Sequence, residues 1–152
     1  MDADEIESAY DELTKLFRSG SPFAVADGWS AEMIGAHVAL NNDEIASVAE
    51  AVARGESVRY DNATVVDDAT LRAFVDRHDG RSGVANEIDR SARRLAAAQR
   101  GLSADAALVE IPVLVHDNGV VVVDQPWTIG DLIGGNATFH LASHLEQVRA
   151  LT

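Results

Sequence analysis

Apolar residues recur at helical spacing over most of this chain, and the rhythm changes in one place. Over residues 3–19, Ile6, Tyr10, Leu13, Leu16 and Phe17 mark one face, with acids crowding the first turn where the helix dipole favours them. Gly20, Ser21 and Pro22 end that helix. A second helix is predicted over 31–54, with Ser30 as N-cap and Gly55 as its stop. Its stripe is Ile34, His37, Val38, Asn41, Ile45, Val48 and Val52. Asp67 or Asp68 can cap a short helix carrying Leu71, Phe74 and Val75 that ends near His78 to Gly80. A longer helix follows over 82–101, with Val84, Ile88, Leu95 and Leu102 inward and Gly101 at its end.

The rhythm then shortens to that of strands. VEIPVLVHDNGVVVVDQ is rich in β-branched residues and centred on Asn118-Gly119, a strong hairpin signal. It predicts strands at 109–116 and 120–124, Asp117 opposite Val120 and His116 opposite Val121, with Pro112 suited to an edge strand. A lone hairpin is marginal, so it must pack on the helices or meet a copy of itself, which makes a homodimer a possibility. After Pro126 and Trp127, helical spacing returns from Thr128, whose spacing to Asp131 is that of a weaker capping box. Ile129, Ile133, Ala137, His140, Leu141, His144, Val148 and Leu151 form the inward stripe. The expectation is one mainly α domain over 1–152: a four-helix bundle with a short extra helix and a β-hairpin before the last helix.

Charge narrows the partners. Asp and Glu number 25 against 12 Lys and Arg, a formal net charge of -13, and Lys15 is the sole lysine. That balance argues against nucleic acid or an anionic membrane surface as a partner, since both require clustered positive charge. Arg90, Arg93, Arg94 and Arg100 are the densest cationic patch, read as a solvated face open to an anionic ligand or an acidic partner surface. The N-terminus is acidic and amphipathic, and no apolar run approaches a membrane span, so a cytoplasmic protein is expected. With no cysteine in the chain, any thiol chemistry must come from a bound small molecule.

The candidate chemistry lies in histidines. His140 and His144 are four residues apart, hence stacked on one helix face and able to reach one ion. His37 sits in the apolar stripe of its own helix, where it is either a core histidine bonded to a backbone carbonyl or a third ligand facing the pair. His78 reads as a histidine at a helix C-terminus, and His116 as an exposed residue near the hairpin tip. The last helix reads H-L-A-S-H, without the glutamate of the zinc-protease motif. Ile34, Ala137 and Leu141 stand where a ferritin-like di-iron site needs glutamate. Asn41, one turn beyond His37, and Asn136, one turn before His140, are polar residues on apolar faces and are expected to line a metal pocket. A carboxylate from Asp11 or Glu12 completing the shell would argue against catalysis, and Arg59 or Arg81 at the pocket mouth would favour a polar thiol cofactor.

Trp29-Ser30 followed by His37, a hairpin, and a terminal helix with His140 and His144 resembles the DinB-like superfamily. The phrases GWSAEMIGAHVAL and VVVDQPWTIGDLIGGNATFHLASHLEQVRAL are similar to its actinobacterial branch around the mycothiol-dependent maleylpyruvate isomerase N-terminal domain. The resemblance implies a four-helix bundle holding one divalent metal, zinc or nickel, through His37, His140 and His144. It further implies a metal-dependent enzyme that activates the thiol of a low-molecular-weight cofactor of the mycothiol type for S-transfer or isomerisation of an electrophilic substrate. A metal-dependent hydrolase and a non-catalytic metal- or ligand-binding bundle are the alternatives, and no catalytic general base is identified.

Overall fold

A computed structural model describes residues 1–152. The chain is mainly helical, with one three-stranded sheet. The first predicted helix is two, α1 (Ala3–Ala9) and α2 (Asp11–Arg18). Asp2 and Glu5 close a reciprocal capping box at the start of α1. The break falls at Tyr10, whose amide turns back to the Glu7 carbonyl while its ring is buried and its hydroxyl bonds Asn42. That long-range bond bends the chain at a position that apolar spacing alone reads as continuous helix.

α3 (Ala31–Ala53) begins as expected at Ser30, whose Oγ accepts from the Met33 amide at 3.2 Å, and stops before Gly55 in the left-handed region. A two-residue strand, β1 (Tyr60–Asp61), and a single 3-10 turn at Thr64–Val66 occupy what reads as a polar link. Asp67 caps α4 (Asp68–Arg77). Asp79 and Gly80, both with positive φ, fold the chain back into α5 (Gly80–Gly101).

α3 and α5 are the central pair, and they approach closely at Gly35, where a Cβ would lie 2.6 Å from Val84 and 2.7 Å from Phe17. Ile6, Leu13, Phe17, Val38, Ile45, Val84, Ile88, Leu95, Ile129 and Ile133 form the interior between them and the flanking helices.

After one turn of helix, α6 (Ala104–Ala107), come β2 (Glu110–Asp117) and β3 (Val120–Thr128), which pair in the predicted register at Asp117–Val120 and His116–Val121. Val115 then meets Val123, so Val122 is an extra residue and β3 bulges there. Two expectations are corrected. β3 continues to Thr128, past the predicted end at 124, and β2 is the central strand, so Pro112 is not on an edge. Its tolerance has a local cause: β1 pairs only with Val113 and Leu114, and across the hairpin Pro112 faces Pro126, which likewise has no N–H.

The arginines of α5 are not an open cationic face. Arg90 pairs with Asp43 and Glu87, Arg94 with Asp43 and Glu50, and Arg100 with Asp4 and Glu7, so three of the four tie α5 to its neighbours or to itself. No helix is long and apolar enough to cross a membrane.

The terminal segment departs most from the reading as one regular helix. It runs as α7 (Ile129–Gly135), a wide π turn at Asn136–His140, and α8 (Leu141–Arg149). Ile129, Ile133, Ala137 and Leu141 are all buried at intervals of four. At 3.6 residues per turn, such a repeat drifts by roughly 40° at each step. The wide turn, in which the Leu141 amide reaches the Asn136 carbonyl five residues back, absorbs that drift and keeps both halves facing α3.

Candidate metal centre

His37 lies mid-way along the first half of α3, His140 closes the π turn, and His144 stands one turn later in α8. The fold brings all three together. Nε2 of His140 is 2.9 Å from Nε2 of His37 and 3.1 Å from Nε2 of His144. No Asp or Glu belongs to the cluster.

The opposite edges of two rings fix what those Nε2 atoms can be. His37 Nδ1 is 2.6 Å from the Val65 carbonyl, an acceptor only, so Nδ1 carries the hydrogen and Nε2 is left with its lone pair. His144 Nδ1 is 2.7 Å from Oε1 of Gln147, and with the Gln147 amide in this orientation its Nδ1 carries the hydrogen as well. Two lone pairs therefore point at His140 Nε2, which carries one hydrogen at most. These three nitrogens form a group able to hold a metal ion. Two imidazole nitrogens bound to a tetrahedral ion at 2.0–2.1 Å lie about 3.3 Å apart, close to the two spacings from His140 Nε2, and all three ligand atoms lie within 4.8 Å of one another.

Burial keeps the rings uncharged. It lowers His37 to about 4, helped by repulsion from His144 and opposed by the Val65 carbonyl. Burial lowers His140 further, with repulsion from His144 and His37 adding to it, and lowers His144 against the hydrogen bond that its ring donates to Gln147. Histidines in an unfolded chain titrate near ~6.5. The metal-free fold thus binds fewer protons than the unfolded chain below that value. Its stability should be fully present above about pH 6.5 and decline as the pH falls toward about 4. Urea midpoints measured in chelator at pH 7.5 and 5 check this: a marked loss is expected in the parent and a smaller one in a His140→Ala, His144→Ala variant, whereas equal losses would place the titration elsewhere.

Trp29 packs its indole 5.2 Å from the His37 ring and donates from Nε1 to Asp68 at 2.7 Å. The other sequence candidates lie apart. Asn41 and Asn136 make no hydrogen bond to the histidines; they bond to one another at 2.8 Å within a buried polar network one turn deeper. Glu12 pairs with Arg149, and Asp11 is not in the cluster. Arg81 is consumed by the carbonyls of Leu16, Phe17 and Ser21, and exposed Arg59 lies beside Asp61. His78 is the C-cap of α4, as its position predicts. His116 is half-buried rather than exposed, with Nε2 3.2 Å from Asp61, because Asn62 clasps its backbone N–H and carbonyl. Sequence reasoning missed Gln147, although its place three residues after His144 is a helical-face signal, and Val65, whose carbonyl has no side-chain signature.

No family model, curated protein or solved structure matches this chain.

Proposed function

We propose that this chain binds one divalent metal through Nε2 of His37, His140 and His144 and offers the remaining coordination position to a small molecule. The observation that carries the reading is the convergence of those three atoms with Nδ1 of His37 and His144 held by Val65 and Gln147. Outer partners of this kind orient imidazole ligands and fix their tautomer in metal sites. Zinc or nickel suits an all-imidazole set. The resemblance to DinB-like proteins, which itself rests in part on these histidines, implies the same three positions.

Three neutral ligands leave the ion its full charge, so when bound it would acidify a thiol or polarise an oxygen at the fourth position. A low-molecular-weight thiol of the mycothiol type is the ligand we favour, since the chain has no sulfur nucleophile of its own. The residues around the site orient and desolvate: Trp29 covers the His37 ring, and Val65 and Gln147 hold the His37 and His144 rings in place.

Elemental analysis tests the metal. One equivalent is expected in the parent and none in His140→Ala, His144→Ala; none in either, even after reconstitution, removes the site. Titrating the cobalt-loaded parent with a low-molecular-weight thiol then tests the ligand class. New sulfur-to-cobalt absorption in the near ultraviolet is expected, and an unchanged spectrum would leave the metal reading standing without the thiol.

A further inference from the structure

Six buried polar side chains interlock one helical turn beneath the histidines. Asn136 donates from Nδ2 to Tyr10 Oη at 3.0 Å and to Asn42 Oδ1 at 2.8 Å, and its Oδ1 accepts from Asn41 at 2.8 Å. Tyr60 donates to Asn41, Tyr10 donates to Asn42, and Asn42 reaches Ser91 at 3.2 Å. None of these buried polar atoms lacks a partner. Such a network is costly to half-satisfy, so it specifies one arrangement of the elements that contribute to it.

Its geometry relative to the histidines gives it a role. Asn41 follows His37 by one turn on α3, and Asn136 precedes His140 by one turn on the last helix. The cross-links Asn41–Asn136 and His37–His140, at 2.8 and 2.9 Å, are therefore successive rungs of one antiparallel helix pair. Asn136 is also the first residue of the π turn and His140 the last. A π turn is a rare local geometry that sequence propensity does not hold in place by itself.

We propose that the Asn136 network is a positioning device: it locks the register of the π turn against α3 so that His140 arrives within reach of His37. A slip of one residue, about 1.5 Å along the axis, would separate both rungs together. Tyr10 and Tyr60 brace the asparagines from the α1–α2 junction and from β1, so the histidine geometry is anchored from outside its own helix pair.

This inference rests on the metal reading above, and cobalt(II) binding to the stripped full chain separates the two. Asn136→Ala is expected to weaken cobalt binding on the order of tenfold, the scale of outer-partner losses in metal sites, and to change the visible spectrum that reports coordination geometry. Thr14→Ala, which removes a buried hydroxyl bonded to Asp89 outside this network, should lower the unfolding midpoint yet keep the parent's affinity and spectrum. If Asn136→Ala does not fold, Tyr60→Phe removes the donor to Asn41 and should shift affinity and spectrum in the same direction. Cobalt affinity within twofold of the parent and an identical spectrum in the folded network variant would overturn the positioning role and leave the metal site intact. No cobalt binding by the parent would overturn the metal reading and this inference with it.

Discussion

Zinc at a thousandfold excess over its dissociation constant is expected to stabilise the parent by about 4 kcal/mol, the linkage free energy of a ligand that binds the folded state alone. For a domain of this size that is a rise in melting temperature of roughly 10 °C. His140→Ala should abolish the rise. Its Nε2 is the atom that approaches both other ligands, so without it the remaining two imidazoles are a partial site. In chelator the same substitution should cost little. Two lone pairs compete for one hydrogen in the metal-free cluster, and removing the ring between them ends that conflict. The split between zinc and chelator is the test. His78→Ala, at the C-cap of α4, should keep the zinc-dependent rise, because that ring is no member of the cluster. Equal rises in parent and His140→Ala would put the ion elsewhere, and no rise in the parent would remove it.

The histidines and the elements that carry them were legible because their signals are local. Helical spacing put His37 on the inward stripe of α3, and the four-residue interval stacked His140 on His144. Ser30, Asp67 and Thr128 declared their helix starts by side chains that accept from the first turn. Asn118-Gly119 set the hairpin register. What the sequence concealed depends on partners distant in the chain. Tyr10 breaks the first helix through Asn42, thirty-two residues away. β1 is two residues long and acquires its conformation by pairing with β2. The π turn leaves a faint trace, since buried residues every four positions exceed the period of a straight helix, yet its placement at Asn136–His140 depends on α3. Asn41 and Asn136 stand out as polar groups on apolar faces and read as lining a metal pocket, but their partners are each other, Tyr60, Tyr10 and Asn42. A buried asparagine declares that it must have a partner without declaring which one.

Gly83→Ala should be the most damaging single-methyl addition in the chain. Gly83 lies in the first turn of α5, directly over the His78 carbonyl that ends α4, and an added Cβ would fall inside that carbonyl group. The obstacle is backbone, so no rotamer change relieves it. Asp79 and Gly80 already use positive φ to fold α5 back on α4, which leaves the connection little freedom to lengthen. The helices must part instead, at a cost of about 3 kcal/mol, the upper range of overpacking. Gly134→Ala is the matched control: it sits within α7, its Cβ would meet nothing, and alanine there should stabilise by about 0.5–1 kcal/mol. Urea unfolding of the two variants should therefore move in opposite directions. The effect should also reach the histidines, because α4 begins three residues after Val65, whose carbonyl fixes the His37 tautomer. Where folded Gly83→Ala protein can be recovered, its zinc-dependent stabilisation should fall below the parent's. A Gly83→Ala variant as stable as the parent would mean that α4 and α5 meet less closely at His78 than this structure has them, and that the Val65 carbonyl is held by something other than that junction.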